Sequence, residues 1–233
     1  MAGKFIVFEG GEGSGKTTQI QQLRDWLLSD VSFKTLQKQG EVSGLKLTRE
    51  PGGTALGKEI RKLLLTPRNR GNDARICSRA ELLLYAADRA QHVQESIVPW
   101  LEQGYWVLCD RFTDSTMAYQ GYGRQLDLAL IHQLNEIATS GLKTDVTLWL
   151  NVPPSVGLGR MQQRGEADRM EQAGGAFHQR VCEGFTALND SNPYSSGPIV
   201  EIDGAQSLDS VSMQIQTVIQ QRIQQWYPHL SLS

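Results

Sequence analysis

A glycine-rich stretch near the N-terminus, FEGGEGSGKTT (residues 8–18), is the first place in this chain where residue types and spacing suggest chemistry. It matches the pattern G-x-x-x-x-G-K-[ST], directly after an apolar run and before a helical pattern. Glycines let successive backbone N–H groups point at phosphate oxygens, and the following helix adds its positive N-terminal end. The lysine supplies a mobile cation for phosphates. We predict a nucleoside-triphosphate site formed by Gly10, Gly11, Glu12, Gly13, Ser14, Gly15, Lys16, Thr17 and Thr18.

The glycine loop does not by itself name a reaction, because GTPases, motor ATPases and small-molecule kinases all have one. The chain has no N-K-x-D tetrapeptide, which weakens the GTPase interpretation. Glu12 is unusual, because an acid beside a bound triphosphate is unfavourable unless it has another task. Accepting a hydrogen bond from a second substrate's hydroxyl is one such task.

Two further stretches place an arginine just past a predicted strand, at Arg49 in TREPGGT (48–54) and at Arg111 in DRFTDST (110–116). For each arginine alone, a surface salt bridge is an equally good interpretation. Together, beside a phosphate loop, they favour a clamp for a phosphate-bearing acceptor. Asp110 ends an apolar run, where a carboxylate can position Mg²⁺ or its water, and the Thr17 hydroxyl can ligate the same ion.

The stretch YAADRAQH (85–92) places Tyr85 and Arg89 four residues apart, on one face of a predicted helix. An aromatic ring and an arginine in this arrangement can stack on a base and donate a hydrogen bond to its edge. Taken alone, the pair is better explained as a core aromatic residue beside a solvated charge.

The elements that must position these residues alternate between short apolar runs and longer helical patterns. We predict strands at 4–8, 45–48, 106–109, 146–151 and 199–202. We predict helices from the glycine loop to residue 29 and at 56–65, 78–103, 126–139, 155–164, 175–189 and 208–226. This alternation indicates an α/β fold with a parallel sheet covered on both faces. The polar stretches 30–44, 66–76 and 162–175 are predicted loops, the first a surface loop or small hairpin.

Composition narrows the possible partners. The chain has 233 residues and a net charge of -2, which suits one domain and gives no support for binding nucleic acid or a membrane surface. No apolar stretch approaches the ~20 residues of a membrane span. Three widely spaced cysteines show no zinc-ligand pattern and fit a reducing compartment, so we expect a cytoplasmic protein.

Five stretches in this order and spacing resemble the thymidylate kinase family: FEGGEGSGKTT, TREPGGT, AELLLYAADRAQH, DRFTDSTMAYQG and RGEADRMEQ. The similarity runs from about residue 4 to 226. The resemblance implies a P-loop NTPase three-layer sandwich, with a five-stranded parallel sheet in a single domain (1–233) and a small mobile lid at about 160–175. It also implies ATP and dTMP as substrates, Mg²⁺ as cofactor and a homodimer. The longer segment 30–44 departs from the family pattern.

The resemblance also implies roles for individual residues. In the donor site, Lys16 and the loop amides bind ATP. In the acceptor site, Glu12 meets the deoxyribose 3′-hydroxyl, and Tyr85 stacks on thymine where the family more often has phenylalanine. The remaining acceptor residues are Arg49 and Arg111 for the phosphate, Arg89 for a thymine carbonyl, Ser115 and Thr116 for the pocket wall, Tyr119 beside the sugar 2′ position, and Pro51 at a cis-proline position that aims Arg49.

The glycine loop lacks an arginine, whereas RGEADRMEQ has two, and this resembles the bacterial type in which the lid supplies the catalytic arginine. We predict Arg164 or Arg169 in that role, with Arg160 in support. Three alternatives stay open: a kinase for another mononucleotide, an NTPase that drives a partner, and a nucleotide-binding module without catalysis.

Overall fold

The computed structural model of the protein describes residues 3–67, 76–162, 168–190 and 193–229. Its centre is a sheet of five strands: β1 (Phe5–Glu9), β2 (Gly44–Arg49), β3 (Tyr105–Asp110), β4 (Val146–Asn151) and β5 (Ile199–Asp203). The strand order is β2-β3-β1-β4-β5, and every neighbouring pair is parallel. All five predicted strands are confirmed, each within one residue of its predicted ends.

Helices surround this sheet. They are α1 (Lys16–Ser29), α2 (Val31–Lys38), α3 (Ala55–Leu65), α4 (Ser78–His92), α5 (Val98–Glu102), α6 (Thr113–Thr116), α7 (Leu128–Thr139), α8 (Pro154–Gln162), α9 (Gly175–Asn189) and α10 (Leu208–Trp226). Apolar clusters fill both faces of the sheet, one beneath α1, α2 and α10 and one beneath the π-helical turn that follows α4. All five residues of β1 are buried, as a central parallel strand requires. The predicted three-layer α/β fold is confirmed.

The predicted loop or hairpin at 30–44 is wrong in its first half, because α2 occupies Val31–Lys38. Asp30 caps this helix by accepting a hydrogen bond from the backbone N–H of Phe33 at 2.9 Å. Phe33 and Leu36 are fully buried, and the Phe33 ring meets Trp106 edge-on with 5.2 Å between centroids. Burial of two side chains three residues apart stabilises a helix too short to form alone.

Two helical predictions also need correction. The single helix predicted over 78–103 is interrupted by a π-helical turn, Val93–Ile97. Pro99 explains the break, because a proline lacks the N–H that would bond four residues back and its ring clashes with that carbonyl. The segment after β3, predicted without helix, forms α6 and a second π-helical turn, Met117–Gly123. Residues 113–121 are all buried, so this segment forms one wall of the site.

The ends of the strands define where the site lies. Glu9, Arg49 and Asp110 are the last residues of β1, β2 and β3, and they meet at one edge of the sheet, where ligands bind in parallel α/β folds. The predicted loop at 66–76 and the predicted lid at 160–175 lie partly outside the described residues. In the part of the chain that the structure describes, no helix is long and apolar enough to cross a membrane.

Candidate active site

The glycine loop between β1 and α1 uses conformations that favour glycine. Gly10, Gly13 and Gly15 have φ angles of 141°, 69° and 90°. At Gly13 space is also limiting, because an added Cβ would lie 2.1 Å from the carbonyl oxygen of Gly157 on α8. The loop therefore keeps its curvature only with these glycines, and it leads into the positive end of α1.

Lys16 is buried within the loop. Its ammonium group donates to the carbonyl oxygens of Gly10 and Gly11 at 3.1 and 2.9 Å and to the hydroxyl of Ser14 at 3.1 Å. Burial, with the nearby Arg111, lowers the pKa of Lys16 to about 8. These are bonds that phosphate oxygens can replace, and a phosphate would favour the charged amine.

Thr17 and Asp110 form a small oxygen cluster beside the loop. The Thr17 hydroxyl donates to Asp110 Oδ2 at 3.1 Å. The other carboxylate oxygen, Oδ1, is buried without a hydrogen-bond partner among the described residues. A hydroxyl and a free carboxylate oxygen are the hard oxygen ligands that Mg²⁺ prefers, and the ion ordinarily keeps waters and substrate phosphates as its other ligands. The residues present fit such an ion.

Arg111 joins the loop to the segment after β3. Its two terminal nitrogens donate to Gly10 O at 2.9 Å, Ser115 Oγ at 3.1 Å, Glu12 Oε1 at 2.7 Å and the Tyr119 hydroxyl at 3.1 Å. Its backbone has a φ of 72°, which is uncommon for a residue with a side chain. Such strain persists only where the surroundings fix it, and it is concentrated at functional sites.

Glu12 stays ionised in this setting. Burial works to raise its pKa, but Arg111, Lys16 and a hydrogen bond from Tyr119 outweigh burial and lower the pKa to about 2. The Tyr119 hydroxyl donates to the same oxygen as Arg111, at 2.8 Å. Glu12 is therefore a fixed hydrogen-bond acceptor, as the resemblance implied for a residue that meets a substrate hydroxyl.

A cavity, here called the deep cavity, is lined by most of the predicted acceptor residues. These are Glu12, Pro51, Tyr85, Arg89, Arg111, Ser115, Thr116 and Tyr119. The peptide bond before Pro51 is cis, as the resemblance implied. The hydroxyl of Ser115 bonds to Glu9 and Arg111, so it organises the wall more than it offers a free group.

A second cavity, here called the loop cavity, is lined by residues 12–18 and by Arg49, Asp110 and Arg160. Arg49 is the predicted acceptor residue that lines this cavity and not the deep one. The two cavities share a wall made by Glu12, Glu50, Arg61, Arg111 and Asp168. Two ligands could therefore meet at Glu12 and Arg111.

Arg61 is a site residue that sequence reasoning missed. It lies on α3, borders both cavities and donates to the carbonyl oxygen of Pro51 at 2.9 Å. Burial, and then repulsion from Arg49, lowers its pKa. The signal was weak, because an arginine in a helix is usually solvated. Three arginines, Arg49, Arg61 and Arg111, thus surround the junction of the cavities and favour a dianion there.

The two predicted lid arginines that the structure describes, Arg160 and Arg169, lie in different surroundings. Arg160, on α8, lines the loop cavity and donates to the carbonyl oxygen of Gly204 at 3.1 Å. Arg164 lies outside the described residues. Arg169 faces α4, where its guanidinium lies 2.6 Å from the buried carboxylate of Glu81. Arg169 is thus not placed at the phosphate site that the sequence predicted, because a buried carboxylate holds it.

Glu9 is a second residue that the sequence did not reveal. Its carboxylate is fully buried and accepts from the backbone N–H of Phe112 at 2.8 Å, from the N–H of Ser115 at 3.0 Å and from the Ser115 hydroxyl at 2.5 Å. Burial, and then the nearby Asp114, raises its pKa to about 7. Glu9 fixes the segment that carries Arg111 and Ser115.

Replacing Glu9 with glutamine should remove a pH dependence of stability. A pKa raised from 4.5 to about 7 gives a contribution that is fully present below pH 4.5 and is lost as the pH rises through 7. We expect the free energy of unfolding of the parent to fall by about 1–3 kcal/mol relative to Glu9→Gln between about pH 5 and about pH 8. Urea titrations at several pH values measure this difference. Parallel curves for the two proteins would contradict the assignment.

The strand, glycine loop and helix on a parallel five-stranded sheet define a P-loop nucleotide-binding protein, and the two adjoining cavities are typical of one that brings two ligands together. The family model for thymidylate kinase matches residues 8–215. A thymidylate kinase of Acaryochloris marina is 54% identical over 235 residues, covering 98% of this chain and 100% of the relative. One of a Cyanothece species is 53% identical over 239 residues, covering 100% of both.

Structural comparison agrees with these sequence matches. A crystal structure of the thymidylate kinase of Ehrlichia chaffeensis superposes with a TM-score of 0.69 at 32% identity, covering 94% of this chain and 100% of that one. The chain belongs to the thymidylate kinase family. The resemblance predicted from the five sequence stretches is confirmed.

Proposed function

We propose that this protein transfers the γ-phosphoryl group of ATP to dTMP, giving ADP and dTDP. The observation that carries the proposal is the shared wall of the two cavities, where Glu12 and Arg111 border both a triphosphate-type loop and a deep pocket with an aromatic residue. Family membership supports the same activity.

The donor occupies the loop cavity in this proposal. Backbone N–H groups of the glycine loop and the Lys16 amine bind its phosphates, which replace the carbonyl and hydroxyl partners that Lys16 has now. Thr17 and Asp110 would hold Mg²⁺ through the Thr17 hydroxyl and the unpartnered Asp110 oxygen. When bound, the ion would neutralise charge that develops on the phosphate oxygens.

The acceptor occupies the deep cavity. Tyr85 stacks on the base, and Arg89 donates to a base carbonyl. Glu12 accepts from the 3′-hydroxyl, and the Tyr119 ring closes the sugar wall. Arg49, Arg61 and Arg111 surround the acceptor phosphate, so its oxygen points toward the donor. The protein then catalyses the reaction by positioning the two substrates and stabilising charge, because phosphoryl transfer requires little covalent participation of protein groups.

A coupled ADP-release assay against a panel of nucleoside monophosphates tests this function. We expect turnover with dTMP, a penalty of about 1–3 kcal/mol for dUMP, which lacks one methyl group, and exclusion of purines by size. Equal turnover of dTMP and dGMP would contradict the assignment of dTMP as the substrate. It would favour a kinase for another mononucleotide. ATP hydrolysis that does not depend on any monophosphate would point to an NTPase, and binding without turnover to a non-catalytic module.

We also propose that two copies of the chain pair through α3, α4 and α7, which pack side by side. Five apolar side chains on these helices are half exposed or more: Leu56, Leu63, Leu83, Leu130 and Ile137. An apolar surface of this kind suits a self-complementary contact in a two-fold dimer. Light scattering should give a dimer for the parent and a monomer for Leu83→Glu. A molar mass equal to that of a monomer for the parent protein at about 10 µM would contradict this proposal.

We infer a cytoplasmic location from the thiols and the substrates. Cys77, Cys109 and Cys182 are all free, and exposed Cys77 would be open to oxidation outside a reducing compartment. ATP and dTMP are metabolites of the cell interior. Cell fractionation followed by immunodetection tests this, and recovery of the protein in a secreted fraction would contradict it.

A further inference from the structure

A chain of hydrogen-bonded polar side chains runs beside the deep cavity, from the partly exposed Thr48 through the buried His92 and Glu50 to Arg89. Ring Nε2 of His92 lies 2.6 Å from the Thr48 hydroxyl, and ring Nδ1 lies 3.0 Å from Glu50 Oε1. The other oxygen of Glu50 accepts from Arg89 Nε at 2.8 Å. His92 is fully buried, and both ring nitrogens have partners.

The direction of these bonds follows from the chemistry of the groups. The Glu50 carboxylate, paired with Arg89, only accepts hydrogen bonds, so Nδ1 of His92 carries the proton. In the neutral ring, Nε2 then accepts from the Thr48 hydroxyl. A buried carboxylate is costly unless its lone pairs are satisfied, and His92 satisfies the oxygen that Arg89 leaves free.

Both partners of His92 flank Arg49 in the sequence. Thr48 and Glu50 lie on either side of this arginine, at the end of β2, so the imidazole bonds to both neighbours of a phosphate-binding residue. The loop that follows packs onto the same ring, because a Cβ added at Gly53 would lie 2.3 Å from His92 Nε2. His92 therefore fixes the segment from which Arg49 projects.

Glu50 extends the same constraint to Arg89. The other two nitrogens of Arg89 donate to Asn135 Oδ1 at 2.8 Å and to the Phe112 carbonyl oxygen at 2.9 Å. Among the described residues these three bonds use three of the five N–H groups of Arg89, which borders the deep cavity. The orientation of the remaining N–H groups depends on the bond to Glu50.

We propose that His92 is a positioning residue for the acceptor, acting through Glu50 on Arg89 and through the Thr48–Glu50 segment on Arg49. It links the arginine that reads the base to the arginine that binds the phosphate, at opposite ends of one nucleotide. The inference rests on the proposed function, because it takes dTMP as the ligand of the deep cavity.

Asparagine and glutamine at position 92 provide a matched pair of variants. The side-chain NH₂ of His92→Asn reaches the place of ring Nδ1 and keeps the bond to Glu50, whereas that of His92→Gln reaches the place of Nε2 and keeps only the contact with Thr48. Both are polar amides of similar volume. His92→Phe removes both bonds and keeps the ring, and His132→Phe, at a histidine on α7 outside the site, is the control.

Steady-state kinetics with dTMP, dCMP and ATP separate the possibilities. We expect KM for dTMP to rise about 10- to 100-fold in His92→Gln and His92→Phe, because a hydrogen bond to a charged group is lost. KM for ATP should change less than about twofold, and His92→Asn should recover most of the dTMP affinity. The preference for dTMP over dCMP should fall about tenfold in the same two variants, since dCMP has an amino group where Arg89 would meet a carbonyl.

The same measurements distinguish failure of the positioning role of His92 from failure of the proposed kinase function. A parent protein that releases no ADP with dTMP overturns both. An active parent with equal dTMP KM values for His92→Asn and His92→Gln overturns the positioning role alone, and so does a parallel rise in the KM values for dTMP and ATP. If His92→Phe does not fold, as judged by its thermal transition, the amide pair still decides.

Discussion

Replacing Arg111 with alanine should lower kcat/KM for dTMP by about 10²- to 10⁴-fold. Removing one member of a largely buried ion pair costs about 3–5 kcal/mol, because the other charge loses its counter-charge. Here that charge is Glu12, which lies 2.7 Å from the Arg111 guanidinium. The same substitution removes a cation from the junction where the acceptor phosphate would lie. Initial rates at varied dTMP and saturating ATP measure the effect.

Arg111→Lys should recover only part of this loss. Arg111 donates at once to the loop carbonyl of Gly10, to Glu12 and to Tyr119, and a lysine presents one ammonium group where arginine presents a planar fork. Arg24→Ala, at a partly exposed arginine on α1 that lines neither cavity, is the control that should leave the rates unchanged. A folded Arg111→Ala protein with kcat/KM for dTMP within threefold of the parent would show that Arg111 supports structure and not transfer.

The donor side of the site could be predicted from the sequence because its information is local. The positions of Gly10, Gly15, Lys16 and Thr17 depend on one strand, one turn and one helix, and each residue follows from its distance along the chain. The ends of β2 and β3 were predictable for the same reason, since parallel strands bring their carboxyl ends to one edge. Arg49, Asp110 and Arg111 accordingly lie at that edge.

Residues whose roles depend on packing could not be predicted. Glu9 looks like the end of a strand, and only the fold shows that it is fully buried and holds the backbone of Phe112 and Ser115. Arg61 looks like a solvated residue of α3, and only the fold places it between two cavities. His92 has no ligand spacing in the sequence, because its partners lie more than forty positions away, Thr48 on β2 and Glu50 directly after it.

The roles of the lid arginines also depend on packing and could not be assigned from the sequence. Sequence alone favoured Arg164 or Arg169 as the cation that stabilises the phosphoryl group in transfer, with Arg160 in support. The structure places Arg160 on the wall of the loop cavity that contains Lys16, and Arg169 on Glu81 beneath the deep cavity. Moving Arg169 away would break its ion pair with the buried Glu81 carboxylate and leave Arg124 as the ion-pair partner of Glu81, so Arg169 has a cost to reach the phosphates that Arg160 does not have.

We therefore expect alanine at Arg160 or at Arg164 to lower kcat by about 10³-fold or more, the scale of a catalytic arginine in other phosphoryl-transfer enzymes. KM for dTMP should change little in that variant, because the cation acts on charge that develops during transfer. Arg169→Ala should behave differently and raise KM for dTMP. Its neighbour Met170 lines the deep cavity, and the Glu81 pair holds this part of the chain against α4.

Single-turnover rates for the three alanine variants, with lysine variants as charge-conserving controls, decide between these roles. Glu81→Gln removes the same ion pair as Arg169→Ala and also the pair between Glu81 and Arg124. If Arg169 acts only by positioning, Glu81→Gln should raise KM for dTMP at least as much as Arg169→Ala does, and the double variant should be no worse than Glu81→Gln alone. A loss of kcat in Arg169→Ala that Glu81→Gln does not share would return the catalytic role to Arg169. Near-parental kcat in all three alanine variants would mean that none of these three arginines stabilises the charge on the phosphoryl group during transfer.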